Sequence, residues 1–239
     1  MSRVFVCSAH WNEIYMKDDQ TCCELEARLD HLRQVLLRWY EANGRSFPWR
    51  DEGRSPYELI VTEVLLQRTR AGVVGEFWGG FFQAYPDWCK LAAATQEELS
   101  FFLRPLGLWR RRADTLRHLA QVMVCRRGCW PKQRDDLEDL PGVGQYIANA
   151  ALLLCHDERH PLLDTNMARL LERYFGSRKL ADIRDDPYLQ ELAYRLVRCG
   201  EPKAVNWAVL DYAAMVCRPR NPECQDCQAR GRCEYAMNT

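Results

Sequence analysis

The chain has 239 residues, 47% hydrophobic and 28% charged, and its 33 Lys and Arg balance 33 Asp and Glu to a formal net charge of zero. Such values belong to globular proteins and exclude disordered, collagen-like and membrane-spanning classes, since no apolar run approaches the roughly 20 residues of a span. No low-complexity tract or internal repeat is present, and the length allows one large domain or two small ones, either able to bury a substantial core.

The first twenty residues fit no clear element, so residues 1–21 read as a loosely attached extension. Leu25, Leu29, Leu32, Leu36 and Trp39 then fall on one helical face, and Gly44 follows as a C-cap. Ser55-Pro56-Tyr57-Glu58 is a capping box with proline at the first helical position, and predicts a helix running through Arg70. Its stretch Leu59–Leu66 is apolar nearly all round. Glu63 inside it is therefore either on a narrow exposed stripe or buried, and a buried carboxyl is costly unless partnered. Burial would make it an acid of raised pKa, able to protonate or hydrogen-bond a leaving group.

Thr95-Gln96-Glu97-Glu98 repeats the capping box. Between Phe101 and Asp135 nine basic residues (Arg104, Arg110, Arg111, Arg112, Arg117, Arg126, Arg127, Lys132 and Arg134) face only Asp114 and Asp135. That local excess is either a solvated helix face or a track for a phosphate backbone.

Leu140-Pro141-Gly142-Val143-Gly144 follows, and then an apolar helix from Gln145 to Cys155. The proline ends whatever helix precedes it, and the two glycines allow a tight turn and close approach of a partner. Amides of the next helix's first turn would point out of this turn, an arrangement that binds anions such as a nucleic-acid phosphate. The bland alternative is an ordinary helix–turn–helix. Asp164 stands where a helix N-cap is expected, ahead of Met167, Leu170, Leu171 and Tyr174 at helical spacing. The helix dipole there favours its ionised form. Asp186-Pro187 starts another helix, ending near Arg198. With no alternating run bounded by hairpin turns, the expected fold is all-α.

The chain carries twelve cysteines and no signal peptide, which points to a reducing compartment. Four of them form Cys217-x6-Cys224-x2-Cys227-x5-Cys233, a compact set suited to zinc or an iron–sulfur cube, with a disulfide framework as the third possibility. The other eight (Cys7, Cys22, Cys23, Cys89, Cys125, Cys129, Cys155 and Cys199) sit mostly in apolar contexts and are expected to be free core thiols. The five histidines form no metal or nucleophile pattern.

LPGVG paired with an Asp twenty residues past Gly144, accompanied by the four-cysteine motif, resembles the helix-hairpin-helix DNA glycosylases. These include endonuclease III, MutY-type adenine glycosylases and Mig-type thymine mismatch glycosylases. The resemblance runs from about Arg45 to Cys233. It implies two helical lobes with a cleft between them: a helical-barrel lobe over residues 46–154, with the helix-hairpin-helix near 134–154, and a cluster lobe joining 22–45 to 155–239. It implies a [4Fe-4S] cluster on Cys217, Cys224, Cys227 and Cys233, in a loop spanning 217–233. It also implies that Asp164 stabilises cationic sugar character, that Glu63 faces the extruded base, and that Gln67 and Arg68 fill the gap left by the flipped nucleotide. Gly142, Val143, Gly144 and Gln145 would bind DNA, and the acidic stretch Glu13–Asp30 would lie away from it.

Tyr146 occupies the position, two residues past the second glycine, where endonuclease III has its Schiff-base lysine. A tyrosine cannot form an imine, so the resemblance implies a monofunctional glycosylase in which Tyr146 stacks on or bonds the flipped nucleotide. The segments FPWR, SPYELIVTEVLLQRTRAGVV and LDYAAMVCRPRNPEC look closest to the Mig-type enzymes, which remove thymine or uracil opposite guanine. A MutY-type adenine glycosylase is the alternative. Against it stand Asp164-Thr165-Asn166 in place of D-G-N, Gln67-Arg68 in place of a Gln pair, and only six residues after Cys233 for a lesion-reading domain. A non-catalytic iron–sulfur DNA-binding module is the alternative from another class. The implied partner is double-stranded DNA with a mismatched or damaged base, bound by a monomer in the cytoplasm of a prokaryotic-type cell, with no membrane involved.

Overall fold

The computed structural model describes residues 19–238, so Cys7 and most of the expected N-terminal extension lie outside the described residues. Among the described residues there are twelve α-helices and no strand, which makes the fold all-α. No helix there is long and apolar enough to cross a membrane. The chain divides into two compact units, one continuous (Ser46–Asp157) and one discontinuous (Met1–Arg45 with Glu158–Thr239).

The discontinuous unit is built on α1 (Asp19–Asn43), α9 (Thr165–Phe175), α10 (Pro187–Val197), α11 (Pro202–Met215) and the short α12 (Glu234–Met237). The stripe expected on α1 is buried at Leu29, Leu32 and Leu36, which pack with Leu171, Leu192, Leu196 and Val209. After α1, the Gly44 amide donates to the Tyr40 carbonyl at 2.7 Å. Three buried polar groups fix the packing. Asp211 accepts from the amide and the Nε of Arg45, both at 2.8 Å. Arg33 donates to the carbonyls of Leu196 (2.8 Å) and Arg195 (3.0 Å). Asp186 caps α10 at the Leu189 amide (2.8 Å) and also accepts from the amides of Lys179 and Leu180, so one carboxylate ends a loop and starts a helix.

The continuous unit holds α2 (Pro56–Leu66), α3 (Ala71–Ala84), α4 (Trp88–Ala93), α5 (Gln96–Phe102), α6 (Trp109–Cys125), α7 (Arg134–Glu138) and α8 (Gln145–His156). Both capping boxes form, with reciprocal bonds between Ser55 and Glu58 and between Thr95 and Glu98. Helix α2 is buried against α3, α6 and α8. Ile60, Val61, Leu65, Phe81, Leu116, Leu119, Ile147 and Leu153 are all essentially inaccessible.

Helix α2 stops at Leu66, short of the Arg70 that its pattern suggested. The Thr69 amide donates to the Leu66 carbonyl at 3.0 Å, and Arg68 takes a left-handed φ of +55°. The cause is tertiary. Buried Arg112 donates to the Gln67 carbonyl (2.7 Å) and Thr69 Oγ1 (3.0 Å), and Thr69 Oγ1 donates to the Leu106 carbonyl (3.1 Å). Those bonds replace the helical ones.

None of the described cysteines is in a disulfide. The expectation that the unpatterned ones fill the core fails: Cys23, Cys89, Cys125, Cys129 and Cys199 are exposed, and Cys22 and Cys155 are half-buried. Cys125 is the last residue of α6 and Cys129 follows the surface turn Arg126–Gly128, so both lie at an exposed helix end and not on a packed face.

Candidate active site

The glycine motif is a Pro-Gly turn leading into α8. The Val143 amide donates to the Leu140 carbonyl at 3.1 Å, and Gly142 takes φ +74°. Leu140 and Val143 anchor the turn from below, exposed by only 5% and 4%. A Cβ on Gly142 would lie 2.1 Å from Thr115 Cγ2 on α6, so the fold itself requires this glycine. Gly144 is different. It is exposed, its backbone is extended, and a Cβ there would meet nothing within 4 Å. No side chain caps the start of α8, which leaves that end open to an anion from outside. Arg134 of α7 bonds Asn149 of α8 and pairs with Glu138 at 3.0 Å, which locks the two helices of the hairpin together.

Glu63 is buried, 5% exposed, which rules out the solvated-stripe reading. Its Oε2 accepts from the Tyr146 hydroxyl at 3.0 Å. The first turn of α8 and the middle of α2 thus bring together two residues singled out independently. Neighbouring Thr62 turns the other way: its hydroxyl donates to the Glu58 carbonyl (2.6 Å) and accepts from Trp78 Nε1 (2.9 Å). A half-buried phenol on a buried carboxyl makes a polar pair in apolar surroundings, suited to hydrogen-bonding an inserted planar group.

Gln67 and Arg68 are exposed at the tip of the turn after α2. A second exposed tip adjoins it. Leu108, 52% exposed, has a left-handed backbone (φ +48°, ψ +24°) at the start of α6. Arg112 ties the two tips together, since it bonds the carbonyls of Leu106 and Gly107 as well as that of Gln67. Non-glycine residues held at positive φ cost about 1–3 kcal/mol each and concentrate at functional sites. Buried Arg112 serves the fold, a correction that removes it from the basic residues that could track phosphates.

Asp164 caps α9. Its Oδ1 accepts from the amides of Asn166 and Met167, both at 2.8 Å, and its Oδ2 from Asn166 Nδ2 at 2.6 Å. Burial nevertheless pushes its carboxyl above the ordinary value, against the lowering effect of these bonds and of the Arg169 charge. The dipole alone does not decide its ionisation. The segment before it is pinned by Asn206, fully buried, which accepts from the Leu162 amide (2.7 Å) and donates to the carbonyls of His160 (3.1 Å) and Pro202 (2.9 Å).

A polar ridge runs along α9 from Asp164. Arg169 donates to Asn166 Oδ1 (3.1 Å) and to the carbonyls of Ala213 (2.8 Å) and Cys217 (2.9 Å). Arg173, one turn on, donates to the Arg218 carbonyl (2.7 Å) and lies 3.4 Å from Cys217 Sγ. Cys217, Cys224, Cys227 and Cys233 line one pocket, with Tyr212 and Tyr235 in its wall. The Tyr212 hydroxyl is 3.1 Å from Cys227 Sγ. Burial pushes the Cys217 and Cys233 thiols up, and Arg173 draws Cys217 back down. The thiol set fits a soft, thiolate-bound group. Among the described residues, no three His, Cys, Asp or Glu side chains converge on a position for a single metal ion.

Sequence reasoning missed Leu108, Asn206 and Arg169, and named Arg112 only within the basic stretch. Arg169 alone left a signal, the polar spacing Asn166, Arg169, Arg173 along one side of its helix.

The family model described as the HhH-GPD superfamily base excision DNA repair protein matches residues 61–196. The chain is 33% identical over 202 residues to the thymine/uracil-DNA glycosylase of Methanothermobacter thermautotrophicus, covering 84% of this chain and 91% of that one. It is 36% identical over 219 residues to the thymine-DNA glycosylase of Aeropyrum pernix, covering 89% and 97%. The solved structure of a thermostable thymine-DNA glycosylase matches with a TM-score of 0.82 at 31% identity, over 89% of this chain and 98% of that one. The protein belongs to the HhH-GPD superfamily of base excision DNA repair proteins.

Proposed function

We propose that this protein is a monofunctional DNA glycosylase that extrudes thymine or uracil mispaired with guanine and hydrolyses its N-glycosidic bond. The observation that carries the reading is the Tyr146–Glu63 hydrogen bond, which puts a phenol beside a buried acid at the position that takes a Schiff-base lysine in endonuclease III. The choice of base is supported by the near full-length similarity to the thymine-type enzymes of M. thermautotrophicus and A. pernix.

Glu63, steadied by Tyr146, hydrogen-bonds or protonates the departing base. Ionised Asp164 stabilises the oxocarbenium-like sugar as the bond to the base breaks, and water then adds at the anomeric carbon to leave an abasic site. Gln67, Arg68 and Leu108 fill the stack vacated by the nucleotide, whose extrusion costs a few kcal/mol, least at a mismatch. Arg68 bonds the orphan guanine. The turn Gly142-Val143-Gly144-Gln145 grips a phosphate.

Cys217, Cys224, Cys227 and Cys233 would hold a [4Fe-4S] cluster, which supplies folding energy to its loop. These four thiols line one pocket, which fits a cube that takes one thiolate at each of four iron corners. The protein acts as a monomer on chromosomal DNA in a prokaryotic-type cytoplasm.

The test is a panel of duplexes bearing T, U, A or an oxidised base opposite G or 8-oxoguanine, scored for abasic sites with alkali and for adducts with borohydride. Release of T and U opposite G with no trapped adduct is expected. Adenine release would move the protein to the MutY-type branch, a trapped adduct would contradict the Tyr146 argument, and tight binding without release would leave a non-catalytic module.

A further inference from the structure

Beside Leu108 the surface carries a ladder of aromatic rings and arginines that the fold does not need. Phe101, at the end of α5, is 68% exposed. The guanidinium of Arg104 sits 5.0 Å from its ring centroid and 5.5 Å from that of Trp109, and Arg110 lies 4.5 Å over Trp109. Neither arginine forms an ion pair with any described residue, although acidic side chains are as numerous as basic ones in the chain. A guanidinium stacked flat on a ring is held in place while its N–H edge faces outward, an arrangement suited to phosphate oxygens. The exposed Phe101 ring beside Arg104 suits stacking on an unpaired base, and half-buried Trp109 holds both guanidiniums.

The ladder and the glycine turn lie on opposite flanks of α6. The turn meets α6 at Thr115. Helix α5 meets it at Arg110, whose carbonyl accepts from Gln96 Nε2 at 3.1 Å. Those two positions are separated by about 140° around the helix axis. The Leu108 tip stands at the start of α6. Two surfaces on different flanks of one helix suit the two strands of a duplex.

We propose that Phe101, Arg104, Trp109 and Arg110 form a second DNA-gripping surface, which holds the guanine-bearing strand opposite the excised base. The proposal rests on the glycosylase reading, in which the glycine turn takes the strand being cut. It makes the enzyme a reader of both strands, with the ladder supplying preference for duplex over single-stranded substrate.

The experiment compares wild type with F101A/R104A/R110A, all three changes being at exposed side chains, and with the charge-keeping R104K/R110K. Binding to a G:U duplex is measured against salt, uracil release is measured from duplex and from single strand, and both are repeated with neutral methylphosphonate linkages in either strand. The triple variant should bind the duplex about tenfold more weakly, with the log–log salt slope reduced by about 2, while single-strand release is unchanged. R104K/R110K should keep most of the slope. Neutral linkages in the guanine strand should weaken wild type and leave the triple variant unaffected. Equal losses on duplex and single strand would overturn the proposal, as would a variant mimicked by neutral linkages in the uracil strand. If wild type released no uracil, the glycosylase reading would fail, and the binding and salt measurements would still decide the ladder.

Discussion

The Tyr146 hydroxyl donates to Glu63 Oε2 across 3.0 Å, joining residues 83 positions apart in the chain. In the proposed mechanism this bond steadies the acid that meets the departing base. Glu63→Gln keeps shape and removes the proton, so single-turnover uracil release should fall by about 10²-fold or more while affinity for mismatched duplex holds. Tyr146→Phe should lose less, because it removes only the group that steadies the acid. Equal losses in rate and affinity for Glu63→Gln would mean that the residue only shapes the pocket.

For Asp164 the sign of the pH dependence follows from burial. Its carboxyl lies above the ordinary value of 3.8, and the proposed mechanism uses the anion. Activity should therefore be full at neutral pH and decline as pH falls through that raised value. Arg169 lowers the pKa, so Arg169→Gln should move the acid limb to higher pH. Single-turnover pH profiles of the two proteins check both statements.

The same burial disfavours the Asp164 charge in the folded state relative to the unfolded one. Asp164→Asn should abolish base release, preserve duplex binding and leave the neutral-pH melting temperature no lower than wild type. A residual rate within about tenfold of wild type, or roughly 1.4 kcal/mol of barrier, would remove Asp164 from its proposed role.

The two glycines of the hairpin should separate folding from binding. Gly142→Ala meets both the +74° φ and the Thr115 methyl, and should lower Tm by roughly 2–4 °C for each kcal/mol of strain. Gly144→Ala has open space and an extended backbone, so Tm should hold while DNA affinity drops. Melting curves and binding isotherms on the same preparations distinguish them.

Purified protein should be yellow-brown and contain about four iron and four sulfide per chain. Cys224→Ser should lose iron and solubility together, because the bound group contributes to folding. Stoichiometric zinc without iron in anaerobically prepared protein would sink the cluster assignment.

Much of this architecture is written locally. The two capping boxes, the Pro-Gly turn, the Asp164 and Asp186 caps and the α1 stripe each depend on residues within a turn or two of one another, so spacing alone reveals them. The same holds for the cysteine motif, whose thiols line one pocket because the loop is short.

What only the tertiary structure decided depends on burial and on partners distant in the chain. Spacing could not say whether Glu63 was exposed or buried, because its helix is apolar on all sides and the answer lies in α3, α6 and α8. Nor could it end α2 at Leu66, where a guanidinium from Arg112 outbids the local helix preference, or count Arg112 out of the phosphate-binding residues. Local reasoning expected the helix dipole to hold Asp164 ionised; desolvation acts against it, and desolvation is set by everything packed around a group, which no local pattern encodes.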